Sequence, residues 1–131
     1  MSSTEASIEV RLLSVTGIRT EAGNGSAPTF DFNVKLEEAE KRTGEAVFNF
    51  AITINTKPSL AKIDLNGIVT VQGDGGALDK ILQTDPETKV PYLLKRVYEQ
   101  VFLSAYLLSS MINVPHPPPV LGSQLTKKID V

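Results

Sequence analysis

The 131-residue chain predicts an α+β fold: a four-stranded antiparallel sheet with one apolar face, followed by a short and a long C-terminal helix. Three observations carry this reading. Apolar and polar residues alternate with a period of two in four separate stretches, the signature of half-buried strands. After a Gly-Asp-Gly-Gly string at residues 73–76 the spacing changes to that of a helix. Finally, residues 89–114, KVPYLLKRVYEQVFLSAYLLSSMINV, form the longest helical pattern and carry apolar residues on more than one side.

In chain order, residues 1–6 are small and polar, a frayed start. Ile8, Val10 and Leu12 open the first strand, after which the phase slips by one residue so that Leu13, Val15 and Ile18 continue it. Such a slip marks a β-bulge. Gly23, Asn24, Gly25, Ser26 and Pro28 make a loop too long for a tight hairpin, which permits the first two strands to be non-adjacent. Phe30, Phe32, Val34 and Leu36 alternate with Asp31, Asn33, Lys35 and Glu37 in the second strand, and residues 38–45 form a charged, solvated turn. The third strand holds Phe48, Phe50, Ile52 and Ile54, and a turn at residues 56–59 leads to the fourth, with Ala61, Ile63, Leu65, Gly67, Val69 and Val71 in phase. One apolar and one polar face per strand predicts a sheet covered on one side only.

The short helix is expected over residues 77–83, with Leu78, Ile81 and Leu82 apolar. The glycines before it match neither GxGxxG nor GxxxxGK[ST], so they are read as a strand-to-helix reversal and not as a phosphate cradle. Asp85 and Pro86 start a turn, Pro91 stands in the first turn of the long helix, and Pro115, Pro117, Pro118 and Pro119 stop it. Residues 120–131 read as a mixed tail, loose from about 122, with room for a final helical turn. The whole chain is one domain, and no internal repeat is present.

At about 100° per residue, Leu93, Leu94, Val97, Val101, Ala105, Leu108, Met111 and Ile112 share one stripe of the long helix, which is expected to cover the sheet. Phe102, Leu103, Tyr106 and Leu107 lie on the opposite side. That second surface needs a cover of its own: another subunit, the chain's C-terminal residues, or a client polypeptide.

Composition excludes several functions. A formal charge of −2 lacks the basic excess that phosphate contacts need, so no nucleic-acid partner is expected. Without cysteine there is no disulfide framework and no thiolate metal site. The N-terminal string MSSTEASIEV lacks a basic region followed by an apolar run, so no signal peptide is expected. Lys95, Arg96, Glu99 and Gln100 interrupt the long helix, leaving less than the roughly 20 apolar residues of a membrane span, and a cytoplasmic location follows. His116, the sole histidine, is expected in an exposed proline-rich loop with no nucleophilic partner, and Ser104, Ser109 and Ser110 are expected to be exposed on the helix and to lack a nearby base. Asp31, Glu37 and Asp64 fall on the polar phase, away from any enclosed site. Neither a catalytic set nor a cofactor or metal site is expected.

Taken together, the order of elements and three strings resemble the SecB-like chaperone family. VTVQGDGGALDKIL, from residue 69, resembles that family's last strand and the turn into its short helix. VPYLLKRVYEQ, from residue 90, is similar to its Pro-Tyr entry to the long helix, and INVPHPPPVLG, from residue 112, to the stretch that follows. The resemblance implies a dimer or dimer of dimers, and a cytoplasmic holdase that binds unfolded segments in apolar grooves without nucleotide. By position it implies Tyr98, Phe102 and Tyr106 as binding residues, with help from the connection between strands one and two. The departures argue against delivery to a SecA-type motor, since Lys35 and Lys62 interrupt the acidic sheet of export members and the tail GSQLTKKIDV is mildly basic. Two alternatives stay open: a structural or adaptor homo-oligomer that binds no client, and a small-molecule-binding, cone-shaped α+β domain with Asn66 or Thr70 turned inward by a slipped register.

Overall fold

The apolar phases of the four predicted strands gather on one side of a single sheet. The computed structural model describes residues 6–20, 29–57, 60–119 and 121, and the backbone of residues 125–130. Its elements are β1 (Ser7–Arg19), β2 (Thr29–Arg42), β3 (Glu45–Lys57), β4 (Ala61–Gln72), α1 (Gly75–Ile81), α2 (Tyr92–Met111) and β5 (Leu125–Asp130). The sheet order is β1-β4-β3-β2-β5, with the first four strands antiparallel and β5 parallel to β2. The strand-one-to-two loop at residues 23–28, residues 1–5 of the frayed start, and Pro58 and Ser59 of the expected turn lie outside the described residues.

Phe32, Val34, Leu36, Phe50, Ile52, Ile54, Ile63, Leu65, Val69 and Val71 form the inner face and meet Leu93, Leu94, Val97, Val101 and Ala105 of α2 in one core. The bulge falls where the phase slips: Leu12 stands opposite Gly67 and Ser14 opposite Asn66, leaving Leu13 as the extra residue. Beyond the bulge, Val15 and Gly17 keep the inward phase, and Ile18 turns out into solvent. Gly17 allows α2 to approach β1, since a Cβ there would stand 2.6 Å from Leu108 Cδ2. Gly67 is tighter still. A Cβ would run into the Arg11 carbonyl and come within 2.7 Å of Phe50 Cζ, so the Phe50 ring occupies the space the glycine leaves.

Two expectations are corrected. Residues 38–45 are not a broad turn: β2 continues to Arg42 and β3 starts at Glu45, with Thr43 and Gly44 (φ 81°) between them and a register shift at Glu38/Glu40. Residues 37–43 are exposed, so this length of β2 has no dry face and shows no apolar alternation. The tail, read as loose or helical, supplies β5, which pairs Leu125 with Phe32 and residues 128–130 with Asn33, Val34 and Lys35. The open backbone groups of β2's edge direct this pairing, and the tail's own pattern does not announce it.

Both helices end on local devices. Asp74 caps α1 by accepting from Ala77 N at 2.8 Å, so α1 begins at Gly75, two residues before the expected start. α2 terminates in a Schellman motif before the prolines are reached. Asn113 is left-handed (φ 57°), Val114 N donates to Ser109 O at 3.0 Å, and Asn113 N donates to Ser110 O at 3.2 Å. The last turn of α2 contains no basic residue; β1 supplies one, because Arg19 Nη1 donates to the carbonyls of Ile112 (3.3 Å) and Asn113 (3.4 Å). Between the helices, the Asp85 carboxylate accepts from Lys95 Nζ at 2.8 Å and from Glu87 N at 2.8 Å. Among the described residues, no helix is long and apolar enough to cross a membrane.

Two measurements check these packing and charge arguments. Gly67→Val is expected to cost about 2–3 kcal/mol of stability in urea titrations, because the added methyl groups meet backbone and ring atoms that cannot withdraw. The Lys95 hydrogen bond, and after it the Glu87 amide, hold the Asp85 carboxyl below its ordinary value. Its stabilisation is therefore complete above about pH 4 and is lost as pH falls through the lower folded-state value. Asp85→Asn is expected to flatten the dependence of the urea midpoint on pH below about 4, leaving the slope at neutral pH unchanged.

Candidate functional site

Helix α2 carries the candidate surface, and two covers define how much of it is left open. The sheet takes the stripe from Leu93 to Ala105. Residues 114–119 then double back along the helix: His116 lies against Tyr106, Pro118 against Tyr98, and Val114, Pro117 and Leu121 are buried. Tyr98 is 0% exposed, its ring edge-on to Phe32 at 5.6 Å and its hydroxyl donating to Pro118 O at 2.7 Å. Burial pushes the Tyr98 phenol well above its ordinary pKa, so it stays neutral and keeps that bond.

The five residues expected on the surface therefore divide. Tyr98 is a correction: sheet and returning segment bury it together, so it is a core residue. Phe102 is half-buried, 5.8 Å from the Tyr98 ring, and Tyr106 stands at the rim, 6.0 Å from Phe102. Leu103 (62% exposed) and Leu107 (52%) face solvent, joined by Met111 (75%). Met111 was expected in the core stripe; it stands in the helix's last turn, where neither cover reaches that side. Leu103, Leu107 and Met111 follow one another at intervals of four and form a continuous open strip.

Sequence reasoning also missed a pair. Ser110 Oγ and His116 Nε2 lie 2.8 Å apart, and the imidazole stacks on Tyr106 with centroids 3.9 Å apart and planes at 18°. The six-residue separation conceals a contact made by the Schellman reversal between them. Both residues are exposed, and the described contacts of the ring are these two, a latch that holds the returning segment on the helix. Ser109, expected to be exposed, is buried, with its hydroxyl donating inside the helix toward Ala105 O (2.9 Å) or Tyr106 O (2.8 Å).

Asn66 and Thr70 alternate with buried Leu65, Gly67, Val69 and Val71, and Asn66 donates to Ser14 on the outer face at 3.3 Å. The register is not slipped, and neither side chain enters the core. An open cleft of about 620 Å³ lies elsewhere, between α1 and the first turns of α2, lined by Lys80, Ile81, Tyr92, Arg96 and Glu99. On the outer face, Asp31 pairs with Lys57 at 3.2 Å and Asp64 accepts from Thr53 at 2.7 Å.

A four-stranded antiparallel sheet backed by one long helix, with a short helix before it in the chain, is the α+β architecture of SecB-like chaperones, and the chain is a divergent example of that fold, with β5 added in parallel at the sheet edge. The structure of the Mycobacterium tuberculosis Rv1957 SecB-like chaperone, in complex with a ChAD peptide from the Rv1956 HigA1 antitoxin, matches it with a TM-score of 0.58. The match covers 91% of this chain and 89% of that one at 15% sequence identity, a likeness of fold. No family model and no curated protein matches the sequence.

Tyr98→Phe is expected to cost about 1 kcal/mol in urea titrations, since the Pro118 carbonyl loses its donor and the ring keeps its packing.

Proposed function

We propose that this protein is a SecB-like holdase, a cytoplasmic dimer or dimer of dimers that captures non-native polypeptides without catalysis, nucleotide or cofactor. The observation that carries the reading is the open strip of Leu103, Leu107 and Met111, edged by Tyr106 and Phe102. Each apolar Å² that a bound segment removes from water contributes about 25 cal/mol, and a strip without fixed polar groups imposes little sequence preference. Support comes also from the fold's occurrence in a chaperone whose structure holds a peptide.

A second reading rests on the same strip. Apolar residues at every fourth position make a seam suited to another helix, so an adaptor homo-oligomer would use the strip for itself. The two readings differ in whether the assembled oligomer still presents apolar surface. Strong fluorescence of a hydrophobic dye with the intact oligomer supports the holdase; a stable oligomer that leaves the dye dark supports the adaptor.

At stoichiometric ratio the protein is expected to suppress light scattering from a thermally unfolding client. The double variant Leu103→Glu, Leu107→Glu is expected to lose about a hundredfold in client affinity, from about 1.5 kcal/mol per leucine, and to scatter like the client alone. Its melting temperature should hold, since both positions are more than half exposed. Unchanged suppression by the folded variant would remove α2 as the capturing surface.

A further inference from the structure

The edge of β2 is occupied by the chain's own tail, and the pairing is poor. β2 is 14 residues long, yet β5 pairs with only Phe32, Asn33, Val34 and Lys35, and the register breaks after the first of these. The pairing is parallel, which is slightly weaker per residue than antiparallel. The sequence of β5, LTKKID, includes adjacent lysines and an aspartate, residues depleted in strands. The edge it covers is chemically richer than its occupant: Phe32 begins a row of rings running through Tyr98 and Phe102 to Tyr106, from the core out to the open strip of α2. The returning segment ends there as well, with Leu121 buried in the core cluster just ahead of β5.

We infer that β5 is a displaceable pseudo-client, and that the β2 edge is a strand-acceptor site for extended polypeptide. The inference rests on the polypeptide-binding reading above and adds a site and a regulator to it. An incoming segment rich in β-branched and aromatic residues, free of proline, pairs with β2 by main-chain hydrogen bonds over more residues than β5 does. Its side chains reach the ring row, and the displaced tail leaves with its lysines. Apparent affinity for such a segment is then the intrinsic affinity reduced by the fraction of molecules whose edge is free.

The test uses fluorescein-labelled, reduced and carboxymethylated α-lactalbumin, which stays unfolded, with binding read by anisotropy. Three forms are compared: the full chain, a chain ending at Leu121, and a full-length clamp carrying Asn33→Cys and Lys128→Cys. These are register partners on strands roughly 4.8 Å apart, within disulfide reach, in a protein that has no other cysteine. With the tail docked in about nine molecules of ten, ending the chain at Leu121 is expected to lower Kd about tenfold. Oxidising the clamp is expected to raise Kd by at least about tenfold, and reduction to restore it. Equal Kd values in all forms would overturn the inference and leave the holdase reading intact, and weaker binding by the shortened chain would overturn it by making the tail part of the capturing surface. Binding by none of the forms would overturn both readings. Should the shortened chain fail to fold, the oxidised and reduced clamp decide the matter alone.

Discussion

More of α2's circumference is apolar than one sheet can keep dry, and the rest of the structure is arranged around that surplus. The sheet takes one flank, and the returning proline segment takes a second, pinned where the Tyr98 hydroxyl meets the Pro118 carbonyl and where His116 stacks on Tyr106. What neither reaches is the strip of Leu103, Leu107 and Met111. Fully burying such a side chain is worth about 1.5–3 kcal/mol, so three left in water forgo several kcal/mol against a typical total stability of about 5–15. A fold that gives up this much on one helix face stands below its own maximal stability, and covering the strip would recover the difference.

The surroundings of the strip have a matching character. Several polar groups near the strip are already engaged: the Ser109 hydroxyl inside the helix, the Tyr98 phenol on a carbonyl, Ser110 and His116 with each other. The outer sheet face, with Asp31 and Asp64 paired or hydrogen-bonded and Lys35 and Lys62 exposed, has no strong single-sign field.

What was legible in the sequence follows from which contacts are local. The inward phase of Phe32, Val34 and Leu36, or of Ile63 and Leu65, is written in their own spacing because a half-covered sheet imposes it. The slip at Leu13 could be located because a bulge displaces everything after it. The exposure of Leu103 and Leu107 followed from counting helix faces against available covers. Tyr98, Met111 and the Ser110–His116 contact were misread because each depends on where residues 114–121 go after the reversal at Asn113, a long-range fact absent from any periodicity. The tail strand was missed for a related reason: its partner's open edge, and not its own composition, makes it a strand. On the exposed length of β2 beyond Glu37, both faces meet water, and alternation has nothing to record.

The sheet order β1-β4-β3-β2 has a further consequence for how the molecule comes into being. β1 leaves the ribosome first, but its partner is β4, so that Ser7 must wait for Gln72. The β2–β3 and β3–β4 hairpins can close as soon as they are made, whereas β1 stays an unpaired strand carrying Ile8, Val10 and Leu12 until more than half of the chain has been made. Such distant pairing makes for slow closure. During synthesis the chain thus passes through a stage in which the open edge of its first strand is still without its partner.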